Sequence, residues 1–425
     1  MFAGLLTLAL AAPVADAPSF ELATLHTSTA HVDDLATDGK LVWAGTRGGL
    51  EVYDVATGTL QRRFDTRHGL DTAHVWSVDL SNGQARVRTT ASECVLRDTT
   101  FDCTAAAGAP AMEPTVGPRR DGHRVTAIVN AGTQRFEATA GSGLWIGGET
   151  PRRLTADDQP CSNHIGPMLT DGERLWLGAF HEGLCFTDDG RTFTHASEGP
   201  RMINDLTSID GVLWIAATEG LFRTTDGITF EREASIKPRG VNGLARDGDM
   251  LLVTTPGALW TVPLGKGRTK AQSRPGRTRA IQGLVHTTDA TWLTTEDRGV
   301  VRVATSGDTT RFDLAAGLPA SWFLAAAADN QGNIVAGSLR NGVTVLEPDG
   351  SHHQVGGLPD TWIFDVTRIA DTIFVGTQNG AAAIQGEHVT TLPDIPHPNV
   401  HGFAEYRGQL WVATEGGLAV YDTDS

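Results

Sequence analysis

The sequence predicts an all-β protein that folds as a single closed β-propeller of about ten four-stranded blades. Three observations lead to this prediction. A phrase of apolar strands and glycine-rich turns recurs about every 40 residues, no segment keeps a 3.6-residue apolar period, and an extra strand precedes the first copy of the phrase. The 425 residues are 40% hydrophobic and include 49 glycines, which suits a large core joined by many tight turns.

The repeated phrase is clearest in three places. It begins at Val32 (VDDLATDGKLVWAGT), at Ile203 (INDLTSIDGVLWIAAT) and at Val400 (VHGFAEYRGQLWVAT). Seven weaker copies start near Val75, Val125, Ile165, Val241, Ile281, Phe323 and Ile363. The spacing matches one propeller blade of four antiparallel strands and exceeds the roughly 34 residues of a helical-pair repeat.

One aromatic position recurs in these copies. It is occupied by Trp43, Trp176, Trp214, Trp292 and Trp411, with Phe136 and Phe374 in two further copies. A large ring that appears once per blade is expected to fill the space between neighbouring sheets. The small residues that follow, as in 44–46 (AGT) and 376–377 (GT), would let strands approach closely near the axis.

The two ends of the chain predict how the propeller closes. The last copy stops at Asp422 after its third strand, and residues 19–26 (SFELATLH) form a strand with no blade of its own. We expect this N-terminal strand to complete the last blade, which would remove an exposed sheet edge. Because ten blades are many for one ring, two smaller rings, or a seven- or eight-bladed ring with degenerate copies, are the alternatives.

The N-terminus has the features of an export signal. The apolar stretch from Phe2 to Ala12 is too short for a membrane span and has the length of a signal-peptide core. We expect residues 1–17 to be the signal peptide, with cleavage after Ala11 as the alternative, and residues 18–425 to form the propeller. The expected location is periplasmic or secreted, with no integral membrane segment.

The four cysteines form two local pairs. Cys94 and Cys103 would lie opposite each other on adjacent strands if Asp98 and Thr99 form a two-residue hairpin loop. Cys161 and Cys185 would form the second disulfide. Two disulfides fit an oxidising compartment, and four buried free thiols are the alternative.

The charge of the chain restricts the class of partner. A formal net charge of -16 repels phosphate backbones and argues against nucleic-acid binding. The expected partner is a protein or carbohydrate ligand, and the protein is expected to be a monomer.

Two segments resemble a known family. Residues 357–380 (GLPDTWIFDVTRIADTIFVGTQNG) and 317–342 (GLPASWFLAAAADNQGNIVAGSLRNG) resemble the propeller repeats of two-component regulator sensor domains. The resemblance covers nearly the whole mature chain and carries no catalytic residues. It implies a periplasmic ligand-sensing propeller, which in that family is usually joined to a membrane-spanning kinase.

A second resemblance concerns two turns. Residues 188–193 (DDGRTF) and 226–230 (DGITF) are similar to the Asp-box hairpins of sialidases and of the ten-bladed sortilin receptors, although Thr225 replaces an Asp in the second copy. In those families the box is a structural turn away from the active site.

Propellers bind ligands at the mouth of the central channel, where the loops that enter the innermost strands converge. The residue before each copy is His31, His74, Arg124, His164, Met202, Gly240, Ala280, Trp322, Trp362 and Asn399. We expect the polar and aromatic members of this column to bind a ligand, namely His31, His74, Arg124, His164, Trp322, Trp362 and Asn399. A cationic rim opposite aromatic plates would suit an anionic sugar or an aromatic ligand. The alternative is that these are loop residues with neighbouring backbone partners.

A metal site is not predicted. The three histidines of the column could bind zinc if the ring brought them together, but the ring geometry is expected to keep them apart. We therefore expect no metal and no cofactor.

Two insertions interrupt the repeat. Residues 104–124 form a Pro- and Ala-rich connection that could overhang the channel. Residues 266–279 carry a run of basic side chains with no acid, which are Lys266, Arg268, Lys270, Arg274, Arg277 and Arg279. This stripe would suit an anionic polysaccharide or protein partner, and a solvated strand edge protected by charge is the alternative.

The function predicted first is non-catalytic binding of a ligand or protein, because every recurrent feature of the sequence has a structural explanation. The chain also lacks HExxH, GxSxG, phosphate-loop and CxxC motifs, although propeller enzymes assemble their sites from separate blades and need no such motif. The second prediction is a lyase or glycoside hydrolase acting on an extracellular polysaccharide, with His74, His164 and Arg124 near the chemistry. A third is an assembly scaffold.

Overall fold

The computed structural model describes residues 18–80, 83–106, 119–156, 158–196, 198–236, 240–265, 271–274 and 280–423. The signal peptide expected at 1–17 and residues 107–118 of the predicted overhang lie outside these ranges. The described residues form antiparallel strands, with short 3₁₀ helices at Thr66–His68 and Leu314–Ala316. None of the helices in these ranges has the length and apolarity needed to cross a bilayer.

The first strand of the described residues is β1 (Phe20–His26), and three blades follow it. Blade 1 consists of β2 (Val32–Thr37), β3 (Leu41–Thr46), β4 (Gly49–Asp54) and β5 (Leu60–Phe64). Blade 2 consists of β6 (Val75–Asp79), β7 (Arg86–Thr89), β8 (Ser92–Arg97) and β9 (Thr100–Ala105). Blade 3 consists of β10 (Arg119–Arg120), β11 (His123–Ala131), β12 (Gln134–Thr139), β13 (Leu144–Ile146) and β14 (Arg152–Arg153).

Seven further blades complete the chain. Blade 4 consists of β15 (Ile165–Asp171), β16 (Arg174–Ala179), β17 (Leu184–Thr187) and β18 (Thr194–Ala196). Blade 5 consists of β19 (Ile203–Ile209), β20 (Val212–Ala217), β21 (Gly220–Thr224) and β22 (Glu231–Arg232). Blade 6 consists of β23 (Gly243–Asp247), β24 (Met250–Thr255), β25 (Ala258–Pro263) and β26 (Gln272–Arg274). Blade 7 consists of β27 (Ile281–His286), β28 (Ala290–Thr295), β29 (Val300–Ala304) and β30 (Thr309–Phe312). Blade 8 consists of β31 (Phe323–Ala328), β32 (Ile334–Ser338), β33 (Val343–Leu346) and β34 (His352–Gln354). Blade 9 consists of β35 (Ile363–Ile369), β36 (Thr372–Thr377), β37 (Gly380–Gln385) and β38 (His388–Thr391). Blade 10 contains β39 (Val400–Tyr406), β40 (Gln409–Thr414) and β41 (Gly417–Thr423).

The N-terminal strand completes the last blade, as predicted. The order of that sheet is β1-β41-β40-β39, and β1 runs antiparallel to β41 from the Phe20–Thr423 pair to the His26–Leu418 pair. The all-β class, the ten sheets of at least four strands and this closure are therefore confirmed.

The contacts between sheets decide which blades share an axis. The inner strands β15, β19, β23, β27, β31, β35 and β39 pack each against the next, and β39 packs back against β15. All seven line one central channel of about 550 Å³. Blades 4–10 with β1 thus form a seven-bladed ring, which was one of the alternatives to a single ring of ten.

The first three blades lie beside this ring and are called the three-blade unit (residues 32–153). Strand β2 of blade 1 packs between β6 of blade 2 and β11 of blade 3. The expected single ring of ten is corrected accordingly. Ten copies with similar apolar faces can each cover a neighbour, so the repeat itself does not say which copies surround one axis.

The ring closes through a core between blades 10 and 4. Trp411, Tyr406 and Ile165 are buried there in one cluster, and the Tyr406 hydroxyl donates a hydrogen bond of 2.7 Å to the Glu173 carbonyl. A Cβ atom on Gly402 would lie 2.3 Å from the Gly166 carbonyl oxygen. Only glycine lets the two inner strands approach this closely.

The aromatic column lies between the sheets, as predicted. Six of its seven members are at most 5% exposed, which are Phe136, Trp176, Trp214, Trp292, Phe374 and Trp411. Trp43 is half-buried against the core between blades 1 and 2.

The chain crosses between the ring and the three-blade unit twice. It leaves after β1 through residues 27–31 and returns through residues 154–164. The two crossing segments are hydrogen-bonded: the Ser28 N–H donates to Asn163 Oδ1 (2.6 Å), and Asn163 Nδ2 donates to the Ser28 carbonyl (2.8 Å). The three-blade unit is therefore inserted between the closing strand and the first blade of the ring.

Both disulfides form as predicted. Cys94 and Cys103 are directly opposed on β8 and β9, across a hairpin whose loop residues are Asp98 and Thr99. The other bond links Cys161, in the returning segment, to Cys185 in β17. This second bond ties the returning segment to blade 4.

The two turns that resemble Asp boxes are held by their aspartates. Asp189 accepts hydrogen bonds from the N–H groups of Arg191 and Thr192, and Asp226 accepts them from Ile228 and Thr229. These bonds give both side chains a structural role in the turn.

The closing strand carries a titratable group that should make the protein acid-sensitive. The His26 ring stacks on Trp411, with 5.3 Å between ring centroids. Burial, followed by the Arg67 charge, lowers the pKa of His26 from 6.5 to about 4. Between pH 6.5 and pH 4 the His26 side chain is therefore protonated in the unfolded chain and neutral in the folded protein. The free energy of unfolding consequently decreases as the pH falls from 6.5 toward 4.

We expect His26→Phe to reduce this loss by about 2 kcal/mol, because phenylalanine keeps the stacking and cannot be protonated. The measurement is urea unfolding of both proteins at pH 7 and pH 4.5. Equal losses of stability in the two proteins would show that His26 does not contribute to acid sensitivity.

Candidate ligand cleft

A cleft of about 330 Å³ lies where the three-blade unit meets the ring. Six of the 14 histidines line it, and they are His31, His74, His123, His164, His181 and His397. Arg47, Glu182 and Glu415 add charged groups. The cleft lies at the end of both units where the inner strands begin, since His31, His74 and His164 each precede one of these strands.

On the side of the three-blade unit, the cleft is organised by one buried carboxylate. The Asp33 side chain is 1% exposed and lies 2.8 Å from His74 Nε2 and 3.2 Å from His31 Nε2. Arg47 Nε lies 3.7 Å away. Burial alone would raise the pKa of Asp33, but hydrogen bonds from His31 and His74 hold it well below its usual range.

This arrangement links two blades. Asp33 lies in β2 of blade 1 and His31 just precedes this strand, whereas His74 precedes the inner strand of blade 2 and stacks on Trp76 with 3.9 Å between ring centroids. The aspartate therefore fixes the orientation of two imidazoles at the edge of the cleft.

On the side of the ring, a second carboxylate lies between two histidines. Glu415 Oε1 is 3.2 Å from His401 Nε2 and 3.7 Å from His164 Nε2. His164 precedes β15 of blade 4, His401 lies in β39 of blade 10, and Glu415 lies in the turn between β40 and β41. The three groups come together because the first and last blades of the ring are neighbours.

Aromatic side chains hold these imidazoles. The His401 ring stacks on Phe364 of blade 9 (4.9 Å between centroids) and meets Phe180 edge-on (5.4 Å). The His164 ring lies 4.2 Å from Phe180. Phe180 and His401 line the central channel, whereas His164 and Glu415 line the cleft, so this cluster lies between the two spaces.

The ionisation of the groups follows from their surroundings. Burial, helped by the neighbouring His401, lowers the pKa of His164 to about 4. Burial also lowers the pKa of His397. A hydrogen bond with His401 lowers the pKa of Glu415 to about 2, against the effect of burial. At neutral pH the ring side therefore has a carboxylate beside two neutral imidazoles, those of His164 and His397.

The cleft continues into a second chamber of about 710 Å³. His123, His181 and Glu182 line both spaces, and Arg153 and Arg201 line the second one. Together the two spaces form an elongated polar site.

The predicted column of ligand-binding residues divides into two groups. His31, His74 and His164 all line the cleft, and Asn399 is hydrogen-bonded to Glu415 at its edge. The remaining predicted residues lie elsewhere. Arg124 is exposed in β11, where it pairs with Arg119.

The two tryptophans lie just before the inner strands of blades 8 and 9. Trp322 is 41% exposed, in a shallow groove with Leu314 and Leu339. Trp362 is covered by Arg340, whose guanidinium lies 4.9 Å from the ring centroid. Neither tryptophan lines the cleft, so the proposed aromatic plates do not face the histidines.

The basic stripe remains a prediction. Lys266, Arg268, Lys270, Arg277 and Arg279 lie outside the described residues, and of Arg274 only the backbone, in β26, is described.

The sequence pattern did not point to five side chains of this site, which are Asp33, Arg47, His397, His401 and Glu415. A second column would have found some of them. In several blades the residue after the second strand donates its N–H to the carbonyl of the residue before the inner strand, as Arg47 does to His31, Phe180 to His164 and Glu415 to Asn399. Both columns therefore face the same end of the blade.

The comparisons with known proteins place the chain among propellers. No protein-family model and no curated protein matches it. Among solved structures, it is similar to the extracellular domain of BT3049 from B. thetaiotaomicron, described as a hybrid two-component system, with a TM-score of 0.57 and 12% identity over 91% of this chain and 61% of that one. The corresponding domain of BT4673 matches with a TM-score of 0.53 and 15% identity over 92% of this chain. This chain spans 58% of the length of the BT4673 domain.

A third similar structure is a catalytically inactive variant of virginiamycin B lyase from Staphylococcus aureus, solved with quinupristin. It has a TM-score of 0.51 and 15% identity over 61% of this chain and 94% of its own. At these identities all three matches show the propeller fold.

The Asp33 arrangement should stabilise the protein. We expect Asp33→Asn to reduce the free energy of unfolding at pH 7 by about 2 kcal/mol, because His31, His74 and Arg47 lose the buried negative charge that they face. Since the folded-state pKa lies below the unfolded value of 3.8, the difference from the native protein should shrink as the pH falls below that value.

Urea unfolding at pH 7 and pH 3.5 measures this difference. Asp102→Asn is the matched control, because that aspartate faces Arg97 at 3.5 Å on the surface with 73% of its side chain exposed. It should change stability by less than about 0.5 kcal/mol. An equal effect of the two substitutions would contradict the stabilising role of Asp33.

Proposed function

We propose that this protein is an exported, non-catalytic binding propeller of the sensor or scaffold type, whose ligand is a carbohydrate or a segment of a protein held in the cleft. The observation that carries this proposal is the convergence of six histidines from both units on one cleft. The residues of the aromatic column are buried between the sheets, whereas the six histidines line a space that a ligand can enter.

The lining of the cleft supports a polar ligand. Imidazoles donate and accept hydrogen bonds and offer flat faces to sugar rings or aromatic side chains. Arg47 adds a cationic group, and Glu182 and Glu415 add acceptors. The combined length of the cleft and the second chamber suits a short oligosaccharide or an extended peptide better than a compact apolar molecule.

Three observations support an extracellular, periplasmic or secreted location. The sequence begins with a signal-like segment, both cysteine pairs form disulfides, and two of the similar structures are extracellular domains. Disulfides persist in oxidising compartments. A sensor role would further require contact with a signalling partner.

The proposal predicts a ligand whose affinity depends on the cleft. The purified protein is applied to glycan and peptide arrays, and binding to each hit is measured by calorimetry. We expect the double variant His31→Ala, His181→Ala to weaken binding by at least about tenfold, roughly 1.4 kcal/mol, because it removes polar contacts on both sides of the cleft.

Trp322→Ala is the control, because this exposed side chain lies outside the cleft. It should leave the affinity unchanged. Weaker binding in the Trp322 variant with full binding in the double variant would move the site to the groove around Trp322 and contradict the proposal.

A lyase is the second candidate, because Glu415 and two imidazoles meet at the mouth of the ring and because propeller lyases are among the similar structures. A carboxylate beside imidazoles can take up and return a proton. His164 is retained from the sequence prediction, whereas Arg124 is not part of the cleft.

The lyase hypothesis predicts cleavage of an extracellular polymer. The protein is incubated with a panel of acidic and neutral polysaccharides, and new chain ends are detected by mass spectrometry. Turnover should fall at least about 100-fold in His401→Ala if this histidine transfers the proton. Binding without any cleavage on the panel would leave the non-catalytic function as the better description.

A further inference from the structure

His164, His401 and Glu415 have the arrangement of a metal site. One donor atom from each lies within 4.8 Å of both others. The two measured separations from Glu415 Oε1, 3.2 Å to His401 and 3.7 Å to His164, bracket the ~3.4 Å that separates two ligands bound tetrahedrally at about 2.1 Å from zinc. Small side-chain movements would therefore bring all three atoms to a common ion.

The donor types restrict the metal. Two imidazole nitrogens and one carboxylate oxygen suit Zn²⁺ and neighbouring first-row ions, whereas Mg²⁺ and Ca²⁺ prefer all-oxygen sites. Three protein ligands also leave positions open, which is typical of sites that bind a further molecule. Those open positions would face the cleft and the adjoining channel, since His164 and Glu415 line the first and His401 lines the second.

The surroundings hold the ligands in place. Phe180 and Phe364 pack against the imidazoles, and the Glu415 N–H donates to the Asn399 carbonyl (3.2 Å). His397 Nδ1 accepts the Asn399 N–H at 3.2 Å, so its ring is fixed by the same loop. Such outer contacts orient ligands in metal sites.

We propose that His164, His401 and Glu415 bind one divalent first-row transition metal ion, with Zn²⁺ as the ion to be tested. The ion would connect the first and last blades of the ring at the point where it closes. It would thereby stabilise the closed ring and present an open coordination position to the ligand of the cleft.

A second group of potential metal ligands is excluded by the disulfide that it contains. Asp71, Cys94 and Cys103 also lie close together, but both sulfur atoms are joined in a disulfide. They are therefore not available as thiolate ligands.

The test uses the full mature chain after treatment with EDTA and dialysis. Zn²⁺ is titrated by calorimetry, and the melting temperature is recorded with and without the ion. We expect one ion per chain and a higher melting temperature, because an ion that binds only the folded protein stabilises it. Mg²⁺ at the same concentration should produce neither effect.

Two variants locate the site. His401→Ala and Glu415→Gln should each weaken Zn²⁺ binding by at least about 100-fold, and Glu415→Gln keeps the shape of the side chain in case the alanine variant does not fold. His353→Ala is the matched control, because His353 forms a surface pair with Glu347 (3.5 Å) and lies outside the cleft. It should bind Zn²⁺ as the native protein does.

Cobalt provides an independent readout. Co²⁺ bound in place of zinc by two imidazoles and a carboxylate has visible absorption bands that differ from those of the hydrated ion, and these bands should disappear in Glu415→Gln. Failure of the native protein to bind Zn²⁺, or equal binding by the native protein and both cleft variants, would overturn the proposal.

The outcome is separate from that of the binding function. Metal-free protein that still binds its glycan or peptide, and that takes up no zinc on titration, would refute the metal site and retain the binding proposal. Protein that binds zinc but no array ligand would support the metal site and contradict the binding proposal.

Discussion

Closure of the ring by β1 is the constraint on which the rest of the structure depends. Without this strand, the edge of β41 would expose unpaired backbone groups, and the last blade would have only three strands. Because β1 belongs to the last blade, the first strand of the chain lies at the point where the ring closes. Blade 4 must therefore pack against blade 10 for the ring to close.

The insertion of the three-blade unit follows from the same constraint. Its two crossing segments leave and re-enter at the closure point, and Ser28 and Asn163 hold them side by side. The unit is thereby held against the mouth of the ring. The cleft therefore belongs to neither unit alone, and its histidines are brought together where the three-blade unit contacts the ring.

Each half of the cleft uses one carboxylate to join two blades. Asp33 of blade 1 faces His74 of blade 2, and Glu415 of blade 10 faces His164 of blade 4. A carboxylate that is partly removed from water needs charged or polar partners, and histidines of the adjacent blade supply them. Blade packing and the chemistry of the cleft therefore depend on the same contacts.

The sequence by itself determined the strand pattern, the aromatic column, both disulfides and the pairing of β1 with the last blade, because these depend on local periodicity and on the ends of the chain. It also indicated His31, His74 and His164 as candidates. Only the tertiary structure decided that seven blades share an axis, and that His164 meets His401 and Glu415. The physical reason is that repeated blades have similar apolar faces, so which blades become neighbours depends on packing between units far apart in the chain.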